Sequence, residues 1–351
     1  MKNKSILDGV LIALVSVIAG CAAIPVQPSR DAETSDPIID DCFALVDQRR
    51  FSDALDICEM AVMNYPDNFI AHVSYARALA ETGQSDMAQE YYYRALEIDP
   101  AVVSARMELG ILLKDSADYS NALEEFREVI ERRPDFAAAY IQKAEIYRLQ
   151  RNWTGAADFF GRAVEIQPED ETLRADYVQA LSNAGQHSQA RAAMNNASAD
   201  FPDSINLALT FGVLLQQQQR YQEAIAQYNR VLRIDPGNDS AQYNIALCHF
   251  QNRNIREAER AITLYLQRRP DSGSANFLAG QIASSVNNFA EAEMYIRRAL
   301  DLDPDNGAAW VMLGNILRRR NDRREAAEAY RQALRINPND EVARRNLRRV
   351  Y

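Results

Sequence analysis

Residues 307–340 read GAAWVMLGNILRRRNDRREAAEAYRQALRINPND, and Pro338 near the end of this stretch closes a ladder of nine prolines spaced 34 residues apart. The other eight are Pro66, Pro100, Pro134, Pro168, Pro202, Pro236, Pro270 and Pro304, while Pro25, Pro28 and Pro37 precede the ladder. A proline inside a helix costs roughly 3 kcal/mol, through a lost hydrogen bond and a ring clash, so regular prolines mark regular helix breaks. A fixed period of this length belongs to stacked-repeat architectures.

Placing each proline at position 32 of a unit starts the repeats at residues 35, 69, 103, 137, 171, 205, 239, 273 and 307. Position 20 is then alanine in all nine copies, from Ala54 to Ala326. Position 8 is small in eight of them (Cys42, Ala76, Gly110, Ala144, Gly212, Ala246, Gly280 and Gly314), with Val178 the exception. Position 24 is large: Tyr92, Phe126, Phe160, Tyr228 and Tyr330 with Met194, Ile262 and Ile296, and only Cys58 is small. Two small columns let paired helices approach closely.

This pattern resembles the tetratricopeptide repeat (TPR) family over residues 35–338, most clearly in the copies 103–136, 205–238 and 307–340. In the last, Ala309-Trp310-Val311-Met312-Leu313-Gly314, Glu325-Ala326, Ala329-Tyr330, Ala333-Leu334 and Pro338 follow the family motif. The resemblance implies an all-α fold, a right-handed α-solenoid of about nine helix-turn-helix repeats spanning 38–340. A capping helix over 341–351 follows, with Val342, Leu347 and Val350 on its apolar side. Polar pairs after the prolines, such as Asp67-Asn68, Asp203-Ser204 and Asp305-Asn306, supply N-caps for the next helix. The copy at 171–204 departs most from the pattern, through Val178, Met194, Ser198 and Asp200, and predicts a looser joint between two lobes of four repeats.

The N-terminus reads as a targeting segment. Met1-Lys2-Asn3-Lys4 is a basic start, and Gly9–Ala19 is an apolar run of 11 residues, too short to span a bilayer but suited to a secretory signal. Ile18-Ala19-Gly20-Cys21 resembles the lipobox of bacterial lipoproteins. That resemblance implies a signal peptide over 1–20, acylation of Cys21, a tether over 21–37, and anchoring to the periplasmic face of the outer membrane. Each buried methylene of an acyl chain would contribute ~0.8 kcal/mol to anchoring.

Three cysteines remain. Cys42 and Cys58 are candidates for a disulfide in an exported chain, although their packing phases set them about one helical turn out of register. Cys248 falls in a packing column and reads as a small buried hydrophobe. His72, His187 and His249 lie in three different repeats at positions expected to pack, so they assemble no metal site. Neither a phosphate loop nor a zinc-binding H-E-x-x-H motif nor a nucleophile elbow is present, and no cofactor is expected.

The net charge of −10 argues against nucleic acid as the main ligand. Charge is uneven: from Asp305 onward eleven Arg face six Asp/Glu. Arg318, Arg319, Arg320, Arg344, Arg345, Arg348 and Arg349 form a candidate basic docking patch for an acidic partner or anionic headgroups, or else a solvated end cap.

In the TPR family, first helices line a groove through positions 2, 5, 9 and 12. Position 5 is apolar from Val73 to Val311, and position 9 lacks the Lys/Asn clamp of carboxylate-binding family members. The candidate groove contacts are Leu209, Tyr243, Phe250, Phe277 and Gln281, with Gln242 nearby. They suit a peptide or partner helix held by apolar and amide contacts. The expected function is therefore a membrane-anchored, periplasm-facing scaffold that binds envelope proteins or peptides, in assembly of a complex such as a pilus or secretin. A regulator of a cell-wall or division enzyme is the alternative, and an enzyme in its own right would need a catalytic domain for which the repeats leave no room.

Overall fold

The computed structural model describes residues 36–350, which form nineteen α-helices, with no strand among the described residues. They fall into two compact units, residues 36–197 and 198–350. The first holds α1 (Pro37–Asp47), α2 (Phe51–Asn64), α3 (Phe69–Glu81), α4 (Ser85–Ile98), α5 (Val103–Asp115), α6 (Tyr119–Arg132), α7 (Ala137–Leu149), α8 (Trp153–Ile166), α9 (Glu171–Asn183) and most of α10 (His187–Asp200). The second holds the end of α10, then α11 (Ile205–Gln217), α12 (Tyr221–Ile234), α13 (Asp239–Gln251), α14 (Ile255–Arg268), α15 (Gly273–Ser285), α16 (Phe289–Leu302), α17 (Gly307–Arg319), α18 (Arg323–Ile336) and α19 (Glu341–Arg348). No helix among the described residues is long and apolar enough to cross a membrane.

Each proline sits just past the end of a second helix, where its missing N–H removes no helical bond. Its carbonyl is then claimed by the next first helix. In seven of the nine cases the side chain at position 4 donates to it across six residues: His72 (2.8 Å), Arg106 (3.3 Å), Tyr140 (3.1 Å), Arg174 (2.6 Å), Asn276 (3.0 Å), Trp310 (2.8 Å) and Arg344 (2.6 Å). The acceptor requires the Nε2–H tautomer of His72. Where position 4 is Ala208 or Gln242, Arg230 and Arg268 reach Pro202 and Pro236 from the second helix instead. N-caps follow as expected: Asn68, Asp170, Ser204, Asn238, Ser272, Asn306 and Asp340 each accept a first-turn N–H. A cap of this kind contributes about 1 kcal/mol.

The turn inside each hairpin is set by the backbone. Position 15 adopts a left-handed conformation in all nine repeats, as Arg49, Gly83, Ala117, Arg151, Gly185, Gln219, Arg253, Asn287 and Asn321. The N–H at position 16 bonds the carbonyl at position 11, for example Gln84 to Leu79 at 2.8 Å and Asp118 to Leu113 at 2.8 Å. This closure satisfies carbonyls that the helix end would otherwise leave open.

The two helices meet where position 8 faces position 24. A Cβ built on Gly110, Gly212, Gly280 or Gly314 would come within 2.6 Å or less of Phe126, Tyr228, Ile296 or Tyr330. The alanines at position 20 complete the seam, none more than 3% exposed. Cys42 and Cys58 occupy this same pair of positions. The one-turn offset expected from their packing phases is absent, and they form a disulfide with Cα atoms 5.0 Å apart. In the fifth repeat Val178 and Met194 fill the seam with the opposite distribution of bulk, and both are buried.

The seam of that repeat is filled, and the division between the two units lies within this same copy, between Ala197 and Ser198 inside α10. Ser198 stands at position 28, where other copies carry Val, Leu or Ile. The C-terminal helix also differs from expectation. Ala343, Asn346, Leu347 and Val350 face inward, whereas Val342 is 44% exposed. Its position, one residue before Ala343, rotates it about 100° off that face.

Two substitutions test these constraints. Gly83 has open space where a Cβ would go, so Gly83→Ala isolates the backbone cost of its left-handed conformation. It should lower stability by about 1 kcal/mol, read from the thermal midpoint by circular dichroism. Gly212→Val should cost about 3 kcal/mol through overpacking against Tyr228. Adding Tyr228→Met should recover part of that loss, as in the native Val178–Met194 pair; strictly additive costs would refute coupled packing.

Candidate protein-interaction surface

The position-5 column is not uniform. Val73 and Met107 are core residues, 1% and 2% exposed, whereas Ile141, Ala175, Leu209, Tyr243, Phe277 and Val311 are half-buried. Only from the fourth repeat onward does this column offer area to a partner.

Within the second unit, Tyr243 and Phe250 on α13 pack on one cluster that includes Ala246, Ala258, Ile262 and Leu278. Phe277 on α15 packs on the next cluster, around Ile296 and Leu313. The Tyr243 ring meets Tyr265 of α14 edge-on at 5.8 Å. Burial raises the Tyr243 hydroxyl above its ordinary range, and a hydrogen bond with Ser274 opposes that shift. Leu209 and Gln281 are half-buried on α11 and α15.

The amides differ in what they can still do. Gln242 is buried and donates to the Ala261 carbonyl at 3.2 Å, so it is a structural residue. Asn315 accepts from the Tyr330 hydroxyl at 2.8 Å and from the Asn346 amide at 2.9 Å, tying α19 to α17 and α18. Gln281 makes no side-chain hydrogen bond among the described residues. Its amide is available beside the Phe277 helix turn.

The first unit carries ionic contacts that its apolar columns do not reveal. Arg77 on α3 pairs with Glu108 on α5, with their side chains 13% and 14% exposed, and the Tyr92 hydroxyl donates to the same carboxylate at 2.8 Å. Arg106 pairs with Glu125 at 2.9 Å. Lys143 lies 4.9 Å from the centre of the Phe159 ring, and burial, with Arg127 nearby, pushes its ammonium down. Asp176 on α9 is half-buried, and its carboxyl is pushed up to about 6 by burial and by Glu145, while Arg148 partly offsets them and Asp170 adds a smaller push upward. Charged residues at positions 4, 6, 7, 9 and 12 were the available signal for these contacts.

One open depression of about 560 Å³ lies beside Ser198, Gln227 and Arg230, and another of about 540 Å³ lies between α8, α9 and α10 beside Asp158, Tyr177 and Asn196. Neither contains a candidate groove residue.

The other candidates separate clearly. Cys21, the signal segment and most of the tether lie outside the described residues. Arg318 is half-buried and Arg320 pairs with Glu293, so these two arginines belong to local structure. Arg344, Arg345, Arg348 and Arg349 are exposed along α19. Cys248 is fully buried and its thiol is pushed up to about 12 by burial. His72 is buried and His249 half-buried, but His187 is exposed as the first residue of α10, so it does not pack as its column predicted. No group of three metal-binding side chains occurs among the described residues.

Family models described as tetratricopeptide repeat match residues 44–102, 107–171 and 277–341, and 147–209 and 215–279. Tetratricopeptide repeat protein 6 of Homo sapiens is similar at 23% identity over 124 residues, 35% of this chain and 24% of that protein. DnaJ homolog subfamily C member 3 of Homo sapiens is similar at 21% identity over 228 residues, 61% of this chain and 45% of that protein. The chain thus spans less than half the length of these curated relatives. Among solved structures, pilF of Pseudomonas aeruginosa aligns at 18% identity with a TM-score of 0.46, over 60% of this chain and 95% of that one. The Cut9 and Hcn1 assembly aligns at 14% identity with a TM-score of 0.44, over 89% of this chain and 62% of that one.

Asp176 supplies a pH test. Between about 4 and about 6 its folded form keeps a proton that the unfolded chain has lost, so its contribution to stability falls as pH rises through that window and is constant above it. Asp176→Asn should raise stability at pH 7 by on the order of 2 kcal/mol and change little near pH 3.5. Thermal midpoints at the two pH values check this, and an equal effect at both would rule out the proton linkage.

Proposed function

Because the chain belongs to the tetratricopeptide repeat family, we propose that this protein-interaction scaffold is membrane-anchored and faces the periplasm. There it holds protein or peptide partners during assembly of an envelope complex such as a pilus or a secretin. The observation that carries the binding reading is the first-helix surface of residues 198–350. Leu209, Tyr243, Phe250 and Phe277 are half-buried, the three aromatics anchored by the core on one side and able to lose further apolar area to a partner on the other. Aromatic anchors of this kind commonly dominate interface energetics. Gln281 adds an uncommitted amide beside them, which favours a partner that presents backbone as well as apolar side chains.

Anchoring rests on the sequence alone: the basic start, the apolar run Gly9–Ala19 and the Ile18-Ala19-Gly20-Cys21 motif. The action proposed is binding and not catalysis, in keeping with the repeat family.

Two measurements test this reading. Cys21→Ser should move the protein from the membrane fraction to the soluble fraction of cells, and retention in the membrane would overturn anchoring. Phe250→Ala combined with Phe277→Ala should reduce crosslinking to envelope proteins in intact cells by about tenfold, since loss of one anchor typically costs 1 kcal/mol or more. Circular dichroism must show that the variant remains folded, and an unchanged crosslinking pattern would exclude this surface.

A further inference from the structure

The helix α19 occupies the place of a first helix in a tenth repeat, with Glu341 at position 1. Its inner face packs against α17 and α18 through Ala343, Leu347 and Val350, and the Asn346 amide donates to Asn315 at 2.9 Å. In each complete repeat a second helix then covers position 8. On α19 that position is Arg348, and the uncovered seat is a depression of about 460 Å³ lined by Glu341, Arg344, Arg345, Arg348 and Arg349. Arg344 is tied to the Pro338 carbonyl at 2.6 Å. Arg345, Arg348 and Arg349 have no ion-pair partner among the described residues.

Like charges three and four residues apart on a helix repel, and this short helix holds several such pairs. Solubility of an end cap needs a polar face, which mixed charges would serve without repulsion. An acidic counterpart would relieve it.

The chain itself presents one. Residues 36–64 carry seven Asp/Glu against Arg49 and Arg50, and residues 305–351 carry eleven Arg against six Asp/Glu, so the two segments have net charges of −5 and +5. On α1, Asp40 and Asp41 stand at positions 6 and 7 and are exposed. The same positions on α3 are Ser74 and Tyr75, both buried, because α3 packs against the preceding helix α2. The aspartates therefore mark the face of α1 that no preceding helix covers among the described residues. Asp47, seven residues after Asp40, lies on the same side of α1 as Asp40 and is exposed, and its charge also acts on the Arg77 guanidinium of α3. Asp41 and Asp47 make no ion pair among the described residues.

We propose that the basic seat on α19 receives the acidic outer face of α1 from a second copy of this chain, so that copies associate head to tail. The contact joins two different surfaces, so it can be repeated from copy to copy. It is independent of the envelope assembly role and of the groove.

Sedimentation velocity of the full chain in mild detergent tests the proposal. At about 0.05 M salt, mass should rise with protein concentration, and association should weaken at least about tenfold by about 0.5 M salt as screening takes hold. Asp41→Arg with Asp47→Arg should abolish association, as should Arg345→Glu with Arg348→Glu. Mixing the two reversed variants should restore it, because each then carries the end that complements the other. This rescue also shows that neither variant merely fails to fold. A chain that stays monomeric at every concentration and salt would overturn the proposal. So would reversed variants that associate like the unaltered chain. Arginine-dependent binding to phosphatidylglycerol vesicles by a monomeric chain would assign the seat to lipid instead.

Discussion

Each hairpin depends on one contact, in which a residue with little or no side chain at position 8 admits a large side chain from the partner helix directly over its backbone. Gly110 under Phe126, Gly212 under Tyr228 and Gly314 under Tyr330 leave no room for an added methyl group at their present spacing. That closeness fixes the axial register of the two helices, because the large ring fits at only one height. Register in turn aligns the alanines at position 20. At the far end of the hairpin, the next first helix brings its position-4 side chain to the proline carbonyl. The disulfide between Cys42 and Cys58 makes the same contact covalently in the first repeat, which lacks a predecessor to support it among the described residues.

Much of this was legible in the sequence because it depends on side-chain size. A proline that cannot sit mid-helix, an alanine that cannot be enlarged and a glycine opposite a tyrosine all leave their mark in residue type. Two other regularities left none. The left-handed turn residue is Arg, Ala, Gln, Asn or Gly, since backbone hydrogen bonds impose the conformation and the side chain points to solvent. The donor to the proline carbonyl is His, Arg, Tyr, Asn or Trp, since the carbonyl asks only for an N–H or O–H at the right reach. Val342 was misplaced for a related reason: over so short a helix, the apolar residues alone do not determine which face turns inward.

The candidate surface was legible in part. Apolar residues at position 5 identify the column but not its depth, and Val73 and Met107 prove to be core while Tyr243 and Phe277 are only half covered. Gln242 and Gln281 look alike in sequence, yet one amide is spent on the Ala261 carbonyl and the other is not. The first unit instead fills its first-helix face with Arg77, Glu108, Lys143 and Asp176, whose charges are held close to the core. The two units therefore differ in the chemistry of their first helices, ionic in residues 36–197 and aromatic with amides in residues 198–350.

The bond to the proline carbonyl separates geometry from chemical identity. Seven chemically varied side chains perform one mechanical task at position 4, so this column can drift without moving the helices it joins. A change from arginine to tyrosine there alters the local charge and hydrogen-bonding character of the exterior while the hairpin spacing is kept. Duplicated repeats could thus diversify what they recognise independently of how they stack, and nine copies of one scaffold unit need not remain nine copies of one binding unit.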